Sequence, residues 1–313
     1  MAKAQVTHRQ HYVWQQYLEP WIRNGKIWWE RSGLIKNTDT NSILFRNDNY
    51  KIHKLNKLEK YLLEKLFIED KRQPVEYVNK LMAFTIELTD SLENISSEKF
   101  KNKIDDIRIQ AGEDMISQSE SMGFVALDFL KREEMSFFDY EKDDDTLFDF
   151  FHFVNYQYFR TKKVRDRIKK VMEPQSKLIQ KEFNSTLEID WEKLMSIGLH
   201  FLVNKITYGV LSFKKKYFIR MLIDNKNRLI TSDQPVINTK ASNDDNVLTE
   251  ELEYYYPITP RIAILLTNSI DNNEKVDMSD LDVKTYNHLM FENRNEFVLV
   301  SEEELFQTIL PHQ

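Results

Sequence analysis

Residues 145–173, DTLFDFFHFVNYQYFRTKKVRDRIKKVME, read as one long helix. Asp145 or Thr146 stands near its start and Pro174 near its end, residue types that open and close helices. Arg160, Lys163, Arg167 and Lys170 are spaced three, four and three apart, so a continuous helix sets them on one face, with Gln157 in phase just before. In a chain of net charge -6, such a stripe is either a local phosphate track or a solvated basic face paired with the acidic run 141–149, EKDDDTLFD. The triple lysine at 214–216 extends the track or guards a strand edge.

Working outward, the helical rhythm covers residues 54 to about 184, with Leu58, Leu62 and Leu66, then Val78, Leu81 and Phe84, at spacings of three and four. Residues 191–213 give another apolar helix, and 282–301 a helix followed by a strand at FVLV. Short strands are expected at 27–30 and 43–46, around the turn-rich RSGLIKNTDTNS. Residues 216–238 alternate like a hairpin around DNKN, and 251–267 give one strand entered through Pro257 and Pro260. The expected class is α+β: a central helical block with a small, mainly antiparallel sheet built from N-terminal and C-terminal strands. Residues 1–313 read as one domain, with a possible subdivision near 185.

Composition narrows the function classes. Apolar residues make up 41% and aromatics 12%, ample for a core. With no cysteine, disulfides, thiolate metal sites and a cysteine nucleophile are excluded. Six glycines leave no phosphate loop or dinucleotide fingerprint, and no His-Glu-x-x-His is present. No cofactor, metal or membrane association is expected, and the location expected is cytoplasmic. His152 and His200 sit in apolar helical stretches and read as core histidines. Four of the five tryptophans fall in the first 29 residues, as core or as a stacking platform for bases. Arg46 and His53 have the separation used by some helical ribonucleases, but an extended segment does not bring them to one face.

Several segments look familiar together: HYVWQQYLEPW followed by GKIWW, then FVNYQYFRTKKVRD, LITSDQPVI, YYPITPRIAILL and YNHLMFENRNEFVLV. In this order, from about residue 8 to about residue 301, they resemble the blocks of the bacterial family called domain of unknown function 4238. Trp14 stands where that family usually has proline, and Gln16 where an aromatic is common. The resemblance implies an intracellular protein of bacteria, phage or another mobile element, and leans toward a toxin or antiviral effector. It implies no reaction.

The blocks bring forward His11, Gln15, Gln157, Arg160, Ser232, Asp233 and Asn287, polar residues in apolar surroundings that must find partners. As a site, His11 is the general acid or base. Asp233 orients it, and Arg160 holds a phosphate through its fork. Gln15, Gln157, Ser232 and Asn287 supply hydrogen bonds to substrate or a developing oxyanion. Lys163, Arg167 and Lys170 lead a polyanion toward it. As structure, the same residues form a polar knot with an Arg160–Asp233 ion pair and an Asx turn at 233–235. The function expected is metal-independent phosphodiester cleavage on nucleic acid or nucleotide. The alternative is a non-catalytic sensor that binds a phosphorylated ligand or a partner protein, one from a neighbouring gene included.

Overall fold

The computed structural model describes residues 6–65, 98–142, 145–183, 186–212, 217–242, 244, 246–247, 249 and 251–309. The expected positions Leu66, Val78, Leu81 and Phe84, residues 143–144 of the acidic run and the lysines at 214–216 lie outside them. The N-terminal part holds β1 (Arg9–His11), α1 (Gln15–Leu18), β2 (Ile27–Arg31), β3 (Leu34–Thr38), β4 (Phe45–Asn47) and α2 (Lys57–Leu63). Four long helices follow: α3 (Glu98–Lys131), α4 (Thr146–Phe159), α5 (Lys162–Glu182) and α6 (Trp191–Ser212). The C-terminal part holds β5 (Phe218–Ile223), β6 (Thr231–Ser232), β7 (Ile237–Asn238), β8 (Tyr254–Pro257), β9 (Ile262–Thr267), β10 (Glu274–Asp277), α7 (Asp280–Asn293) and β11 (Val298–Val300).

The class is α+β, as expected, but the strands among the described residues form three sheets. A four-stranded sheet, in the order β3-β2-β11-β6, joins the two ends of the sequence, with Trp28 opposite Val300 and Ser232 opposite Val298. A five-stranded sheet, β10-β5-β9-β8-β7, is drawn wholly from the C-terminal part; only its β10–β5 pair is parallel. The ribbon β1-β4 stands apart, with His11 opposite Phe45.

Five expectations need correction. The long helix breaks after Phe159. Arg160 closes α4, and Thr161 turns extended (ψ 150°) to begin α5, its Oγ donating to the Tyr158 carbonyl and to Gln234 Oε1. Pro174 sits inside α5 rather than at its end. The 216–238 hairpin does not form: β5 pairs with β9 and β10, while β6 pairs with β11 in the other sheet. The single strand at 251–267 is itself a hairpin, β8 with β9, turning at 258–261. The turn-rich segment after β2 contains a strand, β3, reached through Ser32 and Gly33, both at positive φ as a tight hairpin turn demands.

Helix α4 is the pillar. Eleven of its fourteen residues are buried, and it packs on α3 on one side and α6 on the other, which is why its sequence is apolar all round. Each buried phenylalanine stabilises by roughly 1.5–3 kcal/mol, and Phe150, Phe151, Phe153 and Phe159 supply four. Helix α3 approaches through two glycines. A Cβ on Gly112 would lie 1.7 Å from the Tyr50 carbonyl oxygen, and one on Gly123 would lie 2.1 Å from the Phe153 ring. Gly112 therefore lets the chain at Tyr50 lie directly against α3. The larger core cluster runs from Val13 to Leu299 and so draws on both sides of residue 185. Helix α6 has the length and apolarity to cross a membrane, yet most of it is packed inside the protein.

Candidate functional site

The break between α4 and α5 puts Arg160 at the centre of the described structure. Its side chain has no exposure, and Nη1 donates to Glu120 Oε1 of α3 at 2.7 Å. Nε and Nη2 have no protein partner. Buried guanidinium nitrogens are rarely left so, because an unmade hydrogen bond from a charged donor costs more than about 1–3 kcal/mol.

Charged and aromatic groups from distant segments surround it. Tyr50 lies near Arg160, its hydroxyl donating to the His11 carbonyl at 3.0 Å and its N–H to Gln10 Oε1 at 2.7 Å. Tyr156 and Tyr256 are buried within electrostatic reach. Glu113, seven residues before Glu120 and thus on the same side of α3, has Oε2 buried without a partner. Burial and then the Glu120 charge push its carboxyl up to about 7, against the pull of Arg160. Burial likewise raises Glu120, opposed by Arg160.

A narrow cleft of about 10 Å³ opens over this centre, lined by Tyr12, Arg46, Asn49, Arg160, Lys162, Arg165, Asp233 and Asn295. The unpartnered buried polar atoms of its lining, Asn49 Nδ2 with Arg160 Nε and Nη2, are all donors. Arg46 and Arg165 have no acidic partner among the described residues; Lys162 pairs with Asp166. Donors and cations in excess of carboxylates suit an anion, and the forked guanidinium can donate to two oxygens of one phosphate.

The expected site residues divide. His11 lies within electrostatic reach of Arg160, and its Nε2 is buried without a partner. Burial lowers its pKa, with Arg9 and Arg160 acting the same way and a backbone hydrogen bond with Thr40 opposing, so the ring is neutral at pH 7. Gln157 is fully buried, both amide atoms unpartnered. Gln15 donates to Asn41 Oδ1 at 2.9 Å, and neither it nor His11 nor Gln157 lines the cleft. Asn287 spans the backbone before β6, accepting from Ile230 N–H and donating to the Arg228 carbonyl. Ser232 Oγ donates to the Gln234 carbonyl and accepts from its N–H, so the turn belongs to the serine rather than to Asp233.

Asp233 is the largest revision. It forms no ion pair with Arg160, whose carboxylate partner is Glu120. Its carboxylate accepts the backbone N–H groups of Asn295 at 2.9 Å and Glu296 at 2.8 Å, fixing the chain ahead of β11. Burial raises its pKa, opposed by those same bonds. The basic stripe is also divided. Arg160 lies outside α5. Lys163 donates to the Glu292 carbonyl, Arg167 donates to the carbonyls of Asp244 and Val247, and Lys170 is exposed beyond them. The cations over Arg160 are instead Lys162, Arg165 and Arg46, the last set aside with the ribonuclease-like spacing. The seven-residue spacing of Glu113 and Glu120 was the one signal in the sequence for the carboxylates.

The remaining readings concern the core. His152 and His200 are buried between α4 and α6 beside Tyr156, and burial lowers them to about 4 and about 3. Trp21 is fully buried, while Trp14 and Trp29 pack edge-on against Phe153 and Phe297. Among the described residues no group of three or more His, Asp or Glu has the arrangement of a metal site.

The sequence profile of the family described as Protein of unknown function (DUF4238) matches residues 9–304, and the chain belongs to that family. A search of curated proteins and of solved structures found no match.

Proposed function

We propose that this chain is a cytoplasmic effector that binds a nucleotide or nucleic-acid strand by its phosphate at the mouth of the Arg160 cleft and cleaves a phosphodiester bond there. The observation that carries the reading is the set of donors over Arg160, with Arg46 and Arg165 lacking any acidic partner among the described residues. His11 is the proton acceptor and donor, supported by its neutral imidazole and unpartnered Nε2. Glu113, with a carboxyl near neutrality, is a second group able to exchange a proton. A role as toxin or in anti-phage defence rests on the family resemblance alone.

One observation favours the non-catalytic alternative. Asp233, the group that would orient the imidazole, is committed to the Asn295 and Glu296 amides. The experiment is incubation of the purified protein with labelled single-stranded RNA and DNA, with and without EDTA, beside His11→Ala and Arg165→Ala. Cleavage that persists in EDTA and disappears with His11→Ala supports the enzyme. Binding that needs Arg165 with no turnover supports the sensor, and no binding by any form removes both.

A further inference from the structure

The geometry points to a nucleobase subsite beside the phosphate: a second cleft, of about 310 Å³, whose walls include Tyr12, Phe45, Phe297 and Arg46, takes the base of the nucleotide whose phosphate meets the donors at the mouth of the Arg160 cleft. This rests on the phosphate reading above and adds to it the class of ligand, a nucleoside monophosphate unit, free or within a single strand.

Continuity is the first argument. Tyr12 and Arg46 line both clefts, so a group leaving one enters the other across them. Size is the second. Ligand pockets commonly span about 300–1,000 Å³, which the second cleft, at about 310 Å³, meets and the basic one, at about 10 Å³, does not. The basic cleft is no roomier than one water and offers its donors at its mouth; the room for a ligand lies in the second.

Chemistry is the third. Three aromatic rings stand in one wall system, and each is braced by a guanidinium. Arg9, which does not line the cleft, lies 3.5 Å over the Phe45 ring centroid, Arg31 lies 5.1 Å over Phe297, and Arg46 lies 5.7 Å over Tyr12. Arg31 is in turn held by Glu296 at 2.6 Å. Arg31 and Arg46, which line the cleft, cover Phe297 and Tyr12 with their own guanidinium planes, and guanidinium planes as well as aromatic faces are what proteins stack unpaired bases on, with little preference among them because every base has a π-face.

The backbone supplies the fourth. Leu44 sits in the left-handed region (φ 58°), unfavourable for a bulky side chain, while its carbonyl accepts the Tyr12 N–H at 3.0 Å. Strain of this kind persists where the surroundings over-determine it, and it gathers at ligand sites. Here it delivers Phe45 and Arg46 to the cleft wall from a chain that has just run past Tyr12.

The test measures binding to three probes: ribose 5-phosphate, adenosine 5′-monophosphate and a short single-stranded oligoribonucleotide, with the duplex of the same sequence as comparison. The native protein is expected to bind the two base-bearing probes about tenfold or more tightly than the sugar phosphate, and the duplex more weakly than the single strand. Phe45→Ala, with Phe45→Leu as a second variant in case the first does not fold, is expected to abolish that preference while sugar-phosphate binding is retained. Arg165→Ala weakens all three. Sugar phosphate and nucleotide bound equally well would overturn the base subsite and leave the phosphate site standing. Loss of the Phe45 ring with no change in preference overturns it too. Failure of every phosphate probe, with Arg165→Ala indistinguishable from native, removes the phosphate reading and the subsite with it.

Discussion

Arg160 and Glu120 form a 2.7 Å ion pair in which the arginine side chain has no exposure. The pair joins the break between α4 and α5 to the middle of α3, so it holds the candidate site and the helical block together. Removing one partner leaves the other charge buried, which costs about 3–5 kcal/mol. Glu120→Gln is therefore expected to lower unfolding free energy by that amount in urea. Glu120→Gln combined with Arg160→Met should cost less than the sum of the two single changes, and strict additivity would contradict the coupling.

Gly112 and Gly123 make a paired prediction. A methyl on Gly112 meets a backbone oxygen that cannot move alone, whereas one on Gly123 meets a phenylalanine ring that can tilt. Gly112→Ala is expected to destabilise by about 3 kcal/mol and Gly123→Ala by less, read from thermal melts of the two variants. The reverse order would mean that the Tyr50 segment does not lie against α3.

Acid should act through the core histidines. His152 and His200 have folded-state pKa values of about 4 and about 3, below the ordinary 6.5, so between those values the unfolded chain holds more protons. Their contribution is complete above pH 6.5 and declines as pH falls toward 4, by up to about 1.4 kcal/mol per pH unit for each ring. Glu113 works in the opposite sense, because its raised carboxyl favours the folded state less as pH rises from 4.5 toward 7. Stability measured against pH in native protein and in His152→Phe separates the two, and an unchanged slope in the variant rules out the His152 contribution.

Salt dependence should distinguish the arginines. If Arg46 and Arg165 each contact a phosphate, changing either to alanine reduces the slope of log K against log salt by about one. Arg167→Ala should leave the slope unaltered, because Arg167 is bound to the carbonyls of Asp244 and Val247.

Asp233→Asn should behave as a structural change. An amide oxygen accepts less strongly than a carboxylate, so the clasp on Asn295 and Glu296 weakens and stability drops by about 1–3 kcal/mol. The pKa of His11, followed by NMR, should stay where it is. A shift there would restore the orienting role first expected of Asp233.

Much of this was legible in the sequence, and the misses share a cause. Helix α6, helix α7 and the strand after it were readable because their patterns are local, although the Ser279–Asp282 capping box that opens α7 was not used. The break at Arg160 was not, since Thr161 is held by Gln234, a partner seventy-three residues away. The false hairpin arose because alternation shows that a segment is a strand and not which strand it joins. At the site, unusual polar types in apolar surroundings led to His11, Gln157 and Arg160. Glu113 and Glu120 were hidden among the many charges of α3, where only a neighbour from another segment tells a buried carboxylate from a solvated one. Arg46 was passed over because its segment was judged for helical presentation, while it works from a strand.

The pairing of β2 with β11 sets Trp28 beside Val300, residues at nearly opposite ends of the sequence. Closing so large a loop is entropically slow, and no local contact can begin it. The cleft needs Tyr12 from one end and Asn295 from the other, so it comes into being only at that closure. In a refolding experiment, ligand binding is thus expected to return with the slowest phase, well after the helices have regained their circular dichroism. A chain still being synthesised would carry its central helices, its candidate cleft not yet in existence.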